Sequence, residues 1–361
     1  MLRTPGCPIH IETLHLAAPR AGEVLVEMRA SGVCHSDWHC VTGDSQVDLP
    51  VVLGHEGSGV VAALGAGVEN LTVGDHVALS WIPACGQCEE CRRSLPHLCS
   101  TYLEPLWAGT MLDGSIRLQD EAGTPVHHLS ALSTWATHAV VPALSCVQMP
   151  DIPFELSALI GCGVTTGVGA VFNRAKVEAG SRVVVFGAGG VGLSIVLAAA
   201  AAGASTIIAV DLHPEKETLA RRMGATHFIQ SSAGDVADVV DAVTGGLGCD
   251  YAFDAVGHAD IAAGLNQLLA RRGTAVLVGL PPGGTRFSVD PIEFIREEKS
   301  LTGSIFGSAD THRDFVTYAQ MYLEGALPLE ELVTSRYSLD QVNEACDAML
   351  TGHGGRGVLL F

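Results

Sequence analysis

The chain has 361 residues, which is enough for about two domains. With 48% hydrophobic and 16% charged residues it has the composition of a folded globular protein, which excludes a largely disordered one. The formal net charge of −19 creates a field that repels nucleic acid and anionic membrane surfaces, so we expect neither as a partner.

The first 160 residues are predicted to be rich in β-structure, because apolar runs at 23–28, 60–65 and 75–79 alternate with glycine-containing turns. The first ten residues contain no apolar signal-peptide core, so we expect a cytoplasmic protein. A cytosol keeps thiols reduced, and the clustering of the eleven cysteines favours metal ligands over disulfides.

Three short segments contain candidate metal ligands. They are Gly-Val-Cys-His-Ser-Asp-Trp-His at 32–39, Gly-His-Glu at 54–56 and Gly-Cys-Gly at 161–163. Each segment alone is a weak signal, since a single cysteine is more often a core residue. Together, Cys34, His55 and Cys162 form a set known for catalytic zinc with a fourth position open to substrate.

The most specific motif is a cluster of four cysteines with the spacing C-x2-C-x2-C-x7-C, at Cys85, Cys88, Cys91 and Cys99. Four thiolates in one short loop match a tetrahedral structural zinc, which leaves no open coordination position. Unpaired or strained disulfide-bonded cysteines and an iron–sulfur cluster are the alternatives.

From about residue 164 the pattern changes to strands that alternate with helices, which predicts a parallel sheet. The predicted strands are 182–187, 206–211, 250–255 and 274–280, and the predicted helices are 191–202, 214–223, 235–243 and 259–271. The uncharged stretch 183–210 is long enough for a membrane span. Because glycines interrupt it and Arg182 and Asp211 bracket it, we interpret it as buried strand, turn, helix and strand. Residues 357–361 are predicted to form a final strand.

A glycine-rich G-x-G-x-x-G pattern at Gly187, Gly189 and Gly192 directly follows the first of these strands. In that position the glycines let backbone N–H groups at a helix N-terminus approach a pyrophosphate. Asp211 ends the next strand, where a carboxylate bonds a ribose 2′-hydroxyl and repels a 2′-phosphate, so NAD is favoured over NADP. The alternative is that Asp211 only caps the following helix.

The order of these motifs resembles the zinc-dependent medium-chain alcohol dehydrogenases over essentially the whole chain. The resemblance implies an α/β protein with a β-rich, GroES-like catalytic domain at 1–163 and 307–361 and a Rossmann NAD-binding domain with a doubly wound parallel sheet at 164–306. It implies two zinc ions per subunit, one catalytic on Cys34, His55 and Cys162 and one structural on the four-cysteine loop. The implied reaction moves a hydride between an alcohol and NAD, giving an aldehyde or ketone.

The same resemblance implies roles for four residues around the catalytic zinc. Asp37 orients His55, and Glu56 matches an acidic residue behind the zinc. Ser36 and His39 match a proton relay in which Ser36 takes the alcohol proton and passes it through the cofactor ribose to His39, near solvent. The alternative for Ser36 and His39 is that they cap a turn.

Further cofactor contacts are implied in the same way. Lys216 matches a lysine that contacts the ribose, Arg356 an arginine that contacts the pyrophosphate, and Thr166 a position beside the nicotinamide. His35 stands where many members have arginine, so we expect it to hold pyrophosphate less strongly. The phosphate-binding turn comprises Gly187, Gly189, Gly190, Val191 and Gly192.

The resemblance also bears on the substrate pocket and on the assembly. Trp81, Leu129 and Ser130 match pocket positions. The long segment between Cys99 and Cys162 accompanies dimers in the family, so we expect a homodimer. Relatives carry an additional β-strand segment before the point that matches Met1, so we expect either an upstream start or a shortened strand.

Two other functions compete with a general alcohol dehydrogenase. The segment 85–99 also resembles the mycothiol-dependent formaldehyde dehydrogenases, which oxidise the adduct of formaldehyde with a small thiol. An inactive, zinc-stabilised binding protein is the remote alternative, and it predicts altered ligand or relay positions, whereas all of them are present.

Overall fold

Three β-sheets organise the chain in a computed structural model, which describes residues 1–232, 235–352 and 354–361. Among these residues, six parallel strands form one sheet. In spatial order they are His227–Gln230, Thr206–Asp211, Arg182–Phe186, Cys249–Asp254, Leu269–Leu277 and Ser300–Gly303. This is the strand order 3-2-1-4-5-6 of a doubly wound nucleotide-binding sheet.

The strand order reverses between Arg182–Phe186 and Cys249–Asp254. From these two neighbouring strands the chain continues toward opposite edges of the sheet. Ligands of open parallel sheets bind in the crevice beyond the carboxyl ends of such strands. Val183, Val184 and Val185 are fully buried, as expected for a strand covered on both faces. The crevice therefore opens directly at Gly187.

The helices on this sheet agree with the predicted pattern except at one place. The helix predicted at 259–271 ends at Gly264, and a short 3₁₀ turn leads into a strand that begins at Leu269. Leu269 pairs with Cys249 in the parallel ladder and is buried. The prediction was wrong there because strand pairing and burial outweigh the local helical pattern.

The larger of the two remaining sheets joins the beginning and the end of the chain. In spatial order its strands are Val333–Ser338, Arg356–Leu360, Glu23–Gly32, Gly57–Leu64, His76–Leu79 and Cys146–Gln148, with His138–Pro142 also paired to Glu23–Gly32. The strand Arg356–Leu360 runs antiparallel to Glu23–Gly32, with Val358 opposite Gly32. The short strands His15–Leu16, Leu118–Gln119, Pro125–His128 and Val51–Val52 form the third sheet.

The α-helices outside the sheets vary in length. They are His35–Thr42, Glu89–Arg92, Leu103–Trp107, Phe154–Leu159, Thr165–Gly169, Gly190–Ala201, Glu217–Arg222, Val236–Thr244, Ala259–Gly264, Pro291–Glu297, Thr311–Leu323 and Val342–Thr351. The stretch 183–210 that is long enough for a membrane span contains two of the buried strands and the helix Gly190–Ala201.

One continuous helical stretch, Phe154–Ala175, packs between the two larger sheets. It contains two π-helical segments, Ile160–Val164 and Ala170–Ala175, which often occur at functional sites. By length and composition it is the one helix among the described residues that could cross a membrane. Its most apolar window is 78% buried inside the protein, which is the situation of a core helix.

Candidate active site

The first element of the site is the helix His35–Thr42, which begins right after the strand Glu23–Gly32. Cys34 is the N-cap residue with an extended backbone (φ −125°, ψ 148°), and Gly43 in the left-handed region ends the helix (φ 83°). This short helix therefore presents Cys34, Ser36, Asp37 and His39 from a single rigid element.

Four potential metal-binding side chains converge beside this helix. The donor atoms of Cys34, His55, Glu56 and Cys162 all lie within 4.8 Å of one another. Cys162 reaches the cluster from the π-helical segment Ile160–Val164. Two thiols and an imidazole at this separation match the donors and spacing of a zinc site with an open position.

Asp37 fixes the ring of His55. The Asp37 side chain is fully buried, its Oδ1 lies 3.1 Å from His55 Nδ1, and the same oxygen accepts a hydrogen bond of 2.9 Å from the Gly54 amide. Because Nδ1 is engaged, Nε2 is the nitrogen left to bind a metal. Hydrogen bonds from Cys162 and His55 hold the pKa of the Cys34 thiol well below its usual range, although burial opposes this.

Glu56 and Arg356 form a buried ion pair behind the cluster, between the Glu56 carboxylate and Arg356 Nη2. A Cβ atom at Gly32 would collide with this carboxylate, so the strand end needs glycine here. Burial raises the pKa of Glu56 to about 7, and the charge of Arg356 opposes the rise. Glu56 Oε1 has no hydrogen-bond partner among the described residues, which suits an oxygen that faces a cation.

Arg356 also touches the cofactor side of the site. A Cβ atom at Gly190 would collide with its side chain, and one at Gly163 would lie 2.7 Å from its Nη1. The residue is 7% exposed. Sequence reasoning placed Arg356 at the pyrophosphate and did not foresee its pairing with Glu56, and the role at the pyrophosphate stays a prediction.

The four cysteines of the loop at 85–99 also converge, with all Sγ atoms within 4.8 Å of one another. The Cys85–Cys91 and Cys88–Cys99 pairs are separated by 4.0 and 3.9 Å. These distances exclude disulfides and match the separation of about 3.8 Å between sulfurs at 2.3 Å from a tetrahedral zinc. A hydrogen bond from Thr101, supported by the amides of Gln87 and Cys88, lowers the pKa of Cys85 to about 6.

The glycine-rich turn has the geometry of a phosphate-binding loop. Gly187 adopts φ +92°, and a Cβ atom at Gly192 would collide with the Gly187 carbonyl. A Cβ atom at Gly189 would meet open space, so the turn faces a free volume at the N-terminus of the helix Gly190–Ala201. Val191 lies in the first turn of that helix. This arrangement fits a pyrophosphate.

Asp211 is fixed at the edge of the same crevice. Its Oδ2 accepts hydrogen bonds from the Ala188 amide (2.7 Å) and Lys216 Nζ (2.9 Å), and Oδ1 accepts one from the His213 amide (3.0 Å). Burial opposes its ionisation, but these bonds lower the pKa of Asp211. The carboxylate therefore carries a charge at neutral pH at the edge of the crevice, and it also caps the turn to His213. Its contact with a ribose stays a prediction.

We expect Asp211→Gly to narrow the preference for NAD over NADP, because it removes a charge that repels a 2′-phosphate and leaves Lys216 to attract one. The measurement is kcat/KM for both cofactors. Asp235→Gly is the matched control, since Asp235 caps the helix Val236–Thr244 in the same half of the chain. Equal kcat/KM values for NAD and NADP in the parent protein would contradict the role of Asp211.

The remaining predicted residues lie on the two helical elements next to Cys34 and Cys162. Ser36 is half-buried and His35 exposed on the helix His35–Thr42. The side chain of His39 is 36% exposed, with Nδ1 3.6 Å from Asp44 Oδ2. Thr166 is half-buried and lies one turn after Cys162 on the same helical stretch.

Next to Trp81, one of the predicted pocket residues, the structure places Phe306, which sequence reasoning missed. The ring of Trp81 lies 5.1 Å from the ring of Phe306. Leu129 is buried and Ser130 is half-buried with a left-handed backbone (φ 53°). No local pattern in the sequence marks Phe306, because the contact joins segments more than 200 residues apart.

The chain matches two family models. Residues 20–151 match "Alcohol dehydrogenase GroES-like domain" and residues 190–324 match "Zinc-binding dehydrogenase". The predicted combination of a GroES-like domain and a Rossmann domain is thereby confirmed.

The similarity to known proteins extends over nearly the whole chain. Alcohol dehydrogenase class-3 of Cereibacter sphaeroides is 36% identical, with 99% of this chain and 97% of the relative covered. S-(hydroxymethyl)glutathione dehydrogenase of Paracoccus denitrificans is 35% identical with the same coverage. The crystal structure of benzyl alcohol dehydrogenase from Acinetobacter calcoaceticus is similar with a TM-score of 0.94, 34% identity and coverage of 99% and 97%. The chain belongs to the zinc-dependent medium-chain alcohol dehydrogenase family.

Proposed function

We propose that this protein is an NAD-linked alcohol dehydrogenase that oxidises an alcohol to an aldehyde or ketone, with zinc and NAD as cofactors. The observation that carries the proposal is the convergence of Cys34, His55 and Cys162 at one place, next to a dinucleotide crevice. Closed four-cysteine sites are structural, whereas a set of three nitrogen and sulfur ligands leaves one position for substrate. The relatives named alcohol dehydrogenase support the same reaction.

In this proposal Cys34, His55 and Cys162 hold the catalytic zinc, and Cys85, Cys88, Cys91 and Cys99 hold the structural one. When bound, the catalytic zinc supplies a Lewis acid that lowers the pKa of an alcohol hydroxyl. Asp37 keeps His55 in the orientation that presents Nε2, and Arg356 holds the Glu56 carboxylate in place behind the cluster.

NAD is held by the backbone of the turn Gly187–Gly192 and by Asp211, with Lys216, Arg356, Thr166 and His35 as further contacts. When bound, its nicotinamide accepts the hydride. The free volume at Gly189 and the fixed carboxylate of Asp211 support these assignments.

The positions of Ser36 and His39 support a proton relay through these two side chains. They lie three residues apart on one helix, so their side chains share a face. Ser36 is half-buried beside Cys34, whereas His39 is partly open to solvent. A hydroxyl both accepts and donates, so Ser36 takes the alcohol proton, and His39 delivers it to solvent.

We expect His39→Gln to lower kcat/KM by on the order of tenfold, less than the 10²–10⁴ typical of direct acid–base groups. Glutamine keeps a hydrogen bond but cannot take up a proton, so the loss should be greatest at low pH, where little hydroxide is present to accept the proton directly, and imidazole buffer should partly restore the rate. Ser36→Ala should be more damaging, since no buffer reaches the alcohol. The exposed His138 provides the control His138→Gln. An unchanged pH profile in His39→Gln would assign His39 to the turn alone.

A thiol-dependent formaldehyde dehydrogenase is the second candidate, supported by the relative named S-(hydroxymethyl)glutathione dehydrogenase. One experiment tests both functions. NADH formation is followed with a panel of primary, secondary and aromatic alcohols, and separately with formaldehyde in the presence and absence of glutathione or mycothiol. Turnover of alcohols without thiol supports the first function, and turnover only of formaldehyde with thiol supports the second.

The domain bounds are part of the proposal, with a catalytic domain at 1–163 and 307–361 and an NAD-binding domain at 164–306. The pairing of Arg356–Leu360 with Glu23–Gly32 supports a catalytic domain built from both ends of the chain. We also propose a cytoplasmic location, supported by eleven cysteines that form no disulfide.

A homodimer is the proposed assembly. The strand Ser300–Gly303 lies at an edge of the parallel sheet, and an exposed apolar segment precedes it. The exposed side chains are Leu280, Phe287, Val289, Ile292 and Ile295. Apolar surface next to an open sheet edge favours association of two copies. Sedimentation at several protein concentrations tests this state.

A further inference from the structure

The turn Phe306–Ser308 joins the parallel sheet to the helix Thr311–Leu323 and has an unusual backbone. Its three residues have φ values of +50°, +64° and +51°. The left-handed region is disfavoured for Phe306 and Ser308, which carry a Cβ atom. Such conformations persist only where surrounding contacts over-determine them, and they concentrate at functional sites.

This turn is pressed against the helical stretch that carries Cys162 and Thr166. A Cβ atom at Gly307 would collide with the Thr165 carbonyl, and one at Gly169 would collide with the Gly307 carbonyl. Main-chain atoms of the turn and of the helical stretch are therefore in direct contact, next to the predicted nicotinamide position. A shift of the turn cannot be absorbed by movement of side chains.

The side chain of Asn173, near the end of the same helical stretch, stabilises this contact by hydrogen bonds. Its Nδ2 lies 3.3 Å from the Gly307 carbonyl, 2.9 Å from Asp314 Oδ2 and 3.3 Å from the Tyr318 hydroxyl. Asp314 is in turn fixed by the Asp310 amide (2.9 Å) and Arg313 Nε (2.7 Å). One carboxamide thus links the catalytic helix, the left-handed turn and the helix Thr311–Leu323.

The turn determines where Phe306 stands, and Phe306 contacts Trp81. Phe306 is 1% exposed, with its ring 5.1 Å from Trp81 at an interplanar angle of 54° and 6.3 Å from Phe315 at 86°. Trp81 Nε1 is buried and has no hydrogen-bond partner in the described part of the chain. The orientation of Trp81 is therefore set by ring packing and not by a hydrogen bond.

We propose that Asn173 is a positioning residue for substrate selection, which fixes the left-handed turn and through Phe306 sets the place of Trp81. The inference rests on the proposed function, because it takes Trp81 as a wall of the alcohol pocket. Asn173 acts through its contacts with Gly307, Asp314 and Tyr318.

The test is Asn173→Leu, which keeps the size of the side chain and removes its hydrogen bonds. The measured quantity is the ratio of kcat/KM for benzyl alcohol to kcat/KM for ethanol, with saturating NAD. A loss of folded protein lowers both values equally and cancels in the ratio. We expect the ratio to change by about fivefold or more, in the range by which modest changes in pocket shape alter discrimination.

Asn343→Leu is the matched control, because Asn343 is also half-buried and also bridges main chain, with two bonds of 2.8 Å to Ile9. It should lower the melting temperature and leave the ratio unchanged. If Asn173→Leu does not fold, Asn173→Ser keeps one donor and should change the ratio in part. In a Trp81→Ala background the Asn173 substitution should have no further effect on the ratio.

An active Asn173 variant with an unchanged ratio would overturn the positioning role, as would an equal change in the Trp81→Ala background. A parent protein that reduces NAD with no member of the alcohol panel would instead contradict the proposed function. The two failures are therefore distinguishable.

Discussion

Replacing Cys34 by serine should abolish alcohol oxidation while leaving a folded protein that still binds NAD. Cys34 is the N-cap residue of a short helix, and its Sγ is one of the three sulfur or nitrogen donors that converge at this cluster among the described residues. A serine hydroxyl is a poor replacement for a thiolate on zinc. We expect kcat/KM to fall by more than roughly 10³-fold, beyond the 10–100-fold typical of residues that only support a ligand.

The measurements are zinc content by elemental analysis, turnover, and NAD binding by fluorescence. Zinc should fall from two ions per subunit to one, and the affinity for NAD should change little, since the turn at Gly187 and Asp211 is untouched. Cys40→Ser is the matched control. Cys40 is a buried thiol on the same helix that bonds the Ser36 carbonyl, and serine can keep this bond. Full zinc content and normal turnover in Cys34→Ser would contradict the assignment of the catalytic ligands.

Cys91→Ser should have the opposite pattern, with a large loss of stability and soluble yield. The loop at 85–99 contains only the four-residue helix Glu89–Arg92 and one 3₁₀ turn, and three of its four cysteines are only half-buried. It has little core of its own to hold it. Zinc binding to comparable small sites supplies about 10–16 kcal/mol of apparent folding energy in isolated peptides.

Thermal melts of the parent, Cys91→Ser and Cys7→Ser test this expectation. Cys7 is an exposed free thiol, so its replacement should leave the melting temperature unchanged. Soluble Cys91→Ser protein should contain one zinc per subunit. If Cys91→Ser melts like the parent and Cys34→Ser collapses, the two sites have exchanged roles.

The parts of the protein that could be predicted from sequence are those encoded by local backbone chemistry. The strand before Gly187, the glycine turn and the helix after it follow from short-range rules, and the structure reproduces them. The helix around Cys162 was not predicted, because Gly161, Gly163 and Gly167 have low helix propensity. Tertiary packing explains why glycine is found at these positions. The missing Cβ atom makes room for Arg356 at Gly163 and for the helix Gly190–Ala201 at Gly167.

Contacts between distant segments lay beyond the sequence for a different reason. The family resemblance placed Glu56 behind the zinc and Arg356 at the pyrophosphate as two separate facts. The structure joins them in one ion pair across 300 residues. No periodicity or spacing encodes such a pair, because it depends on the return of the strand Arg356–Leu360 to the sheet that begins with Glu23–Gly32.

That returning strand also imposes an order of events during synthesis. At about 5–20 residues per second, the ribosome needs roughly 15–60 s to add the 300 residues between Glu56 and Arg356. The strands of the parallel sheet, at 182–303, emerge entirely within that interval and can pair with one another. Until then the sheet that begins with Glu23–Gly32 lacks the strand Arg356–Leu360, and the Glu56 carboxylate lacks its cation. The buried ion pair of the catalytic region can therefore form only in the last seconds of synthesis, after the whole parallel sheet has been made.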